Sequence, residues 1–239
     1  MPKDLAKILG TGIAQVWSVW NDLAHEGITF DQMALAFGCM MAAPSHRIVV
    51  CTKRPDRLAQ FFAEYSPTQC FQMCLEDETE INPKTHRTLG EKYARNHPML
   101  KDLPMRWPLP NVVLMTSAEN QEQAVARIPS LLMSPAACHA VGCAPLLEPV
   151  DLTPWADRLG WIVAEEESGS GRRHVDRTAF EALRDLCQEH DIPFLLKQMT
   201  YQAMLYKLPP LDGVVFDQFP DLPNDVLTGS GVREKTDDK

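Results

Sequence analysis

His46-Arg47-Ile48-Val49-Val50-Cys51-Thr52-Lys53-Arg54-Pro55 is the stretch that sets the fold class. Ile48 to Cys51 is apolar at every position, the pattern of a strand covered on both faces; a strand with one wet face would alternate. Helices are therefore expected on both sides of its sheet. Pro55 fixes φ at a first helical position, and Leu58, Phe61 and Phe62 follow at the spacing of one helical face. The unit reads strand, polar loop, helix. Its polar residues sit at the carboxyl end of the strand, where open α/β sheets and barrels keep their sites.

The same unit recurs along the chain. Asn111 to Met115 is a strand running into Thr116, Ser117, Glu119, Asn120 and Gln121, followed by a helix carrying Val125 and Ile128. A strand from about His139 to Cys143 ends in Ala144-Pro145. Trp161 to Ala164 ends in Glu165-Glu166-Glu167 and then Ser168-Gly169-Ser170-Gly171-Arg172-Arg173. Thr178 and Glu181 have capping-box spacing ahead of a stripe of Phe180, Leu183 and Cys187, as Thr29 and Gln32 do ahead of Met33, Phe37, Met40 and Met41. Ile192 to Leu196 ends in Lys197-Gln198. Ile13 to Trp20 fits a strand and, on periodicity alone, also a helix. Strands alternating with helices in this way predict parallel βα units with right-handed crossovers. The expected organisation is one α/β domain over residues 1–223, with an irregular, charge- and proline-rich insertion at about 66–110 and a disordered tail at 224–239.

Composition narrows the function classes. A net charge of −9 disfavours non-specific binding to nucleic acid or anionic membrane, because a phosphate-tracking surface needs excess Lys and Arg. No apolar run approaches a bilayer span, and MPKDLAKILG lacks the apolar core and cleavage site of a signal peptide, so a cytoplasmic protein without a membrane partner is expected. The seven cysteines are odd in number and mostly embedded in apolar segments, the usage of reduced, buried thiols.

HRIVVCTKRPDRL, WPLPNVVLMTSAENQ, RIPSLLMSPAA, CAPLLEPVDLTPW, WIVAEEESGSGRR and PFLLKQM, in this order and spacing, resemble a phage and prophage family of radical-SAM-like proteins. The resemblance runs from about Val16 to Phe219, including LDGVVFDQFP. It implies an incomplete parallel (β/α) barrel, radical-SAM-like, that lacks the first strand and the three-cysteine cluster loop with which full-length members open. Two site motifs depart from the family. Cys143-Ala144-Pro145-Leu146-Leu147 stands where the family has CEPLL, replacing a carboxylate by a methyl group. Glu165-Glu166-Glu167-Ser168-Gly169 stands for Gly-Gly-Glu-Ser-Gly, where two added glutamates are expected to crowd a ligand and repel an anion.

No metal site or cofactor is expected. Cys70 and Cys74 have the first spacing of a Cys-x3-Cys-x2-Cys loop, but the third position is Asp77, a poor substitute for a thiolate, and a helix with two ordinary thiols accounts for the pair. Cys138 and Cys143 should point to opposite faces of a strand. His139 and Cys143 can share a face but have no third ligand. The candidate strand-end site is Lys53, Arg54, Glu119, Asn120, Gln121, Glu167, Ser168, Lys197 and Gln198; the alternative is that Lys53 or Lys197 pairs with Glu119 or Glu167 to tie strands together. Trp17 and Trp20, beside a strand left unpaired by the missing first strand, are candidate interface residues in a homo-oligomer or with a protein partner. Two functional readings follow. One is a truncated relative without redox chemistry that acts by binding another protein, a host factor or a homologue. The other is an enzyme with a remodelled strand-end site, or one whose cluster segment comes from a separate chain.

Overall fold

The computed structural model describes residues 7–9, 15–19, 22–96, 106–201 and 204–222. Trp20 and the tail at 224–239, both singled out above, lie outside the described residues. The architecture is a mixed α/β fold whose mostly parallel, seven-stranded sheet curls into a half-barrel. In chain order the elements are β1 (Val16–Val19), α1 (Phe30–Met41), β2 (Arg47–Thr52), α2 (Pro55–Glu64), α3 (Pro67–Glu76), a small antiparallel hairpin of β3 (Glu80–Asn82) and β4 (Arg87–Thr88), and α4 (Leu89–Asn96). They continue as β5 (Val112–Ser117), α5 (Gln121–Leu131), β6 (Cys138–Cys143), a 3-10 turn (Thr153–Arg158), β7 (Trp161–Glu165), α6 (Arg177–Glu189), β8 (Phe194–Tyr201) and β9 (Met204–Lys207).

The sheet order is β1-β2-β5-β6-β7-β8-β9, parallel through β8. β9 is the exception and runs antiparallel to β8. Every residue of β5 is buried, as a central strand covered on both faces requires. The outward-facing residues serve two different cores. Ile48, Val50 and Leu114 face helices α1 to α4, while Val141, Ile162, Ala164 and Leu196 face α5 and α6. Val49, Val113, Met115, Cys138, Ala140, Trp161 and Val163 form a third cluster on the concave side.

Helices on both sides are not what covers this sheet. Its concave face is closed by its own curvature and by the segment 216–222. Gln218 N donates to Phe194 O (3.1 Å), Trp161 Nε1 donates to Gln218 O (2.9 Å), and Arg47 Nη1 reaches Pro220 O (3.4 Å), so this segment crosses from β8 to β2. Leu222 ends in the inner cluster.

Local signals explain the helix starts. Thr29 and Gln32 form the expected capping box, and Ser66 with Gln69 forms another. At α6 the cap is Asp176, not Thr178: Asp176 Oδ1 accepts from both Thr178 N and Thr178 Oγ1, and its charge also suits the positive helix end. Glu181 instead pairs with Arg177. The charge- and proline-rich stretch 66–110 carries two short helices, as its sequence allows, with the small hairpin between them. Its α3 packs on α1, burying Cys70 and Cys74, and Leu89 and Tyr93 of α4 join the same core. Trp107 packs edge-on against Phe62 (4.8 Å between ring centroids) and donates to Tyr65 O. Asn111, buried just before β5, donates to Met40 O and Ala43 O and so satisfies the carbonyl end of α1.

The α1–α3 contact depends on Gly38. A Cβ there would lie 2.4 Å from Cys74 Sγ and 2.5 Å from Cys70 O, and the second is backbone that cannot swing aside. Gly38→Ala is therefore expected to destabilise the fold by about 1–3 kcal/mol or more, measured as a lower denaturant midpoint at unchanged slope.

Candidate functional site

Because β2, β5, β6 and β7 are parallel, their carboxyl ends share one rim, and the first two carry an ionic cluster there. Lys53 Nζ lies 2.6 Å from Glu119 Oε1, and Arg127 Nη1 lies 2.6 Å from Glu119 Oε2 while also donating to Ser117 O (2.9 Å). One carboxylate thus ties β2, β5 and α5 together. Below it, Cys51 Sγ and Ser117 Oγ sit 3.6 Å apart. Burial alone would push the Glu119 carboxyl up, but the Lys53 hydrogen bond and the Arg127 charge outweigh it and hold it below the usual carboxylate range. The Cys51 thiol is pushed up by burial, which makes it a poor nucleophile at neutral pH.

A second pair bridges β7 and β8, with Lys197 Nζ 2.6 Å from Glu165 Oε2. Lys197 and Gln198 do not end their strand as expected, since β8 continues to Tyr201 before turning back into β9. Glu167 meets neither lysine. Arg173 binds it through Nη2 (2.6 Å), Nε (3.0 Å) and the backbone N–H, and this holds its carboxyl down to about 2.

The remaining candidates, Ser168 apart, have structural partners. Arg54 Nη1 reaches Asp22 Oδ2 (2.7 Å), whose other oxygen accepts from Thr52 Oγ1 (2.6 Å). Asn120 caps α5 by accepting from Gln123 N. Gln121 exchanges two hydrogen bonds with the Asp151 backbone, and Gln198 Nε2 donates to Glu166 O. Ser168 is exposed. The two extra glutamates do not crowd the turn: Glu165 is taken by Lys197, and Glu166 is folded inward, accepting from Thr200 N and from the His174 side chain. Burial opposes ionisation of Glu166, yet these hydrogen bonds leave its carboxyl below the usual range. Trp17 does not project from the sheet edge. It is half-buried against the core that α1 covers, 6.1 Å from the His46 ring.

Arg127 and His174 escaped the sequence reading. Arg127 had a signal: it interrupts the stripe Ala124, Ile128 and Leu131, and an arginine within an apolar helical face needs an anion behind it. His174 had none, since its contact to Glu166 depends on how one loop folds.

Cys70 and Cys74 are buried at the α1–α3 contact, where Cys74 Sγ is 4.0 Å from Cys39 Sγ, and Asp77 is the C-cap of α3. Burial pushes Cys70, Cys138, Cys143 and Cys187 up to about 12. Cys138 faces the inner cluster and Cys143 the outer one, as their odd spacing requires. His139 Nε2 is engaged by Ser134 O. Among the described residues no group of three or more His, Cys, Asp or Glu is placed to hold a metal ion, and no helix is long and apolar enough to cross a membrane. A cleft of about 420 Å³ opens at the opposite end of the sheet, between Ala137, Gly160, Pro193 and Pro220, away from the ionic rim.

Residues 14–220 match the family described as a protein of unknown function, DUF5131, and the chain belongs to that family. No curated protein and no solved structure matches the chain.

Glu119→Gln removes the shared anion and leaves Arg127, whose side chain is only 16% exposed, facing a neutral amide. A loss of about 1–3 kcal/mol is expected, with a smaller loss for the half-exposed Lys53→Met. The folded-state pKa of Glu119 is depressed, so its contribution is present above the unfolded value of about 4.3 and is lost as pH falls through the folded value. Stability against pH should therefore fall less steeply below pH ~4 in Glu119→Gln than in the wild type.

Proposed function

We propose that this family member is a radical-SAM-like half-barrel, of the phage kind its motifs resemble, that acts by binding another protein rather than by redox catalysis. The partner supplies an extended segment that pairs with the open side of β1. The observation that carries the reading is the state of that edge. Among the described residues β1 pairs only with β2, and Arg47 N donates to Gln15 O. Continuing the parallel ladder turns the N–H and C=O groups of Trp17 and Val19 toward β2 and leaves those of Val16 and Ser18 on the open side. Val16 is also 55% exposed. An edge with free backbone groups and an exposed β-branched residue is a template for strand addition. The rim supports the same reading, because Glu119, Glu165 and Glu167 are each already engaged by a cation. A host factor or a homologous chain is the partner class that the resemblance implies.

Ser18→Pro tests this, since it removes an N–H on the open side without cutting a bond to β2. The expected result is loss of a co-purifying protein, or of self-association seen by light scattering, at an unchanged thermal midpoint. Hydrogen exchange at residues 15–19 should slow when the partner is added to the wild type. A wild-type chain that is monomeric, captures no protein from host or infected-cell extract and consumes a small-molecule substrate would instead favour an enzyme with a remodelled rim.

A further inference from the structure

The loop after β7 carries a feature that the docking edge does not use. Of the basic groups around the Glu165-Glu166-Glu167 run, Lys197 is bound to Glu165, Arg173 to Glu167, and His174 hydrogen-bonds Glu166. Arg172 alone has no ion pair among the described residues, and its Nε is buried with no acceptor. Leaving a guanidinium donor buried and unpaired is costly, and an anion is the partner that best removes the cost. The backbone beside it is equally unoccupied. Gly169 and Gly171 have φ of +100° and +81°, and an added Cβ at either would meet nothing within 4 Å. The N–H groups of residues 168–171 donate to no acceptor among the described residues, and residues 169–172 form a turn. A glycine-rich turn with successive free N–H groups beside an unpaired arginine is the composition of an anion-binding nest.

We propose that the loop Ser168-Gly169-Ser170-Gly171-Arg172, at the carboxyl end of β7, binds the phosphate group of a small phosphate ester through Arg172 and its free N–H groups. The glutamates that precede it do not oppose this. Glu165 and Glu167 are each neutralised by a bound cation, and Glu166 is 2% exposed, its oxygens turned to Thr200 N and His174. Phosphate is favoured over a carboxylate because it carries more charge at neutral pH and offers enough acceptor oxygens for a guanidinium and several N–H groups together.

The test is titration of the full chain with inorganic phosphate, read by amide chemical shifts and by thermal midpoint, against acetate at matched ionic strength. Saturable shifts confined to residues 166–174 and a higher midpoint are expected. Arg172→Gln should weaken binding by about tenfold or more, the loss of one charge-assisted contact. The same variant should not lower the midpoint of the ligand-free chain, since it removes a donor that has no acceptor. Arg184→Gln, on α6 and bound to Asp185 and Asp212, should bind phosphate as the wild type does. Equal affinity in Arg172→Gln, shifts outside the loop, or an adventitious ion only, bound without saturation, overturns the proposal. Acetate binding as tightly as phosphate overturns the assignment to phosphate. None of these readouts depends on β1, so the docking edge and this loop stand or fall separately.

Discussion

A strand buried on both faces has to be covered twice, and the rest of this molecule answers to that demand. β5 sits third in the sheet with all six of its residues buried. Its outward side chains are covered by the helices that each βα unit brings with it. Among the described residues its inward side chains meet no helix; the sheet curls and packs Val113 and Met115 against Val49, Ala140, Trp161 and Val163. A half-barrel curled in this way still has an open floor. The segment 216–222 closes it by hydrogen bonding to β8 and reaching Arg47 on β2. Residues 217–219 and 221 of this segment are exposed while Phe216, Pro220 and Leu222 are buried, and its backbone is tied down on the β8 edge and by Trp161.

The rim follows the same logic with charges in place of methyl groups. Parallel strands deliver their following residues to one end of the sheet, where like charges would repel and isolated ones would be poorly solvated. Glu119 sits between Lys53 and Arg127, and Glu165 sits against Lys197. These pairs join neighbouring strands and helices at the points where the backbone ladder ends. They also leave few free groups on the rim, which makes Arg172 conspicuous.

The two edges of the sheet are managed differently. At one side β8 is covered along its length, first by residues 216–218 and then by β9. That hairpin moves the free edge to a four-residue strand carrying Lys207, a short and charged edge of the kind that discourages pairing. At the other side β1 is equally short, but Val16–Val19 has no charged residue to protect it.

Much of the fold was legible in one dimension. Ile48 to Cys51, Val112 to Met115 and Trp161 to Ala164 are continuous apolar runs, and each is followed by a helical stripe, because burial on both faces forbids alternation and a parallel neighbour requires a crossover. Lys53 and Glu119 could be placed at one end of the sheet for the same reason, with either a site or a strand-tying pair open to them. Their pairing, the exchange of Glu167 for Glu165 as the partner of Lys197, and the burial of Glu166 under Thr200 were decided only by tertiary structure. Each depends on which side chain a loop turns inward, and neither spacing nor hydrophobic period encodes that. The covering of the concave face by 216–222 is of the same kind. The sequence by itself determined a parallel, doubly covered sheet, through the local periodicity of apolar residues; contacts between distant segments decided how its floor was closed and which charges met.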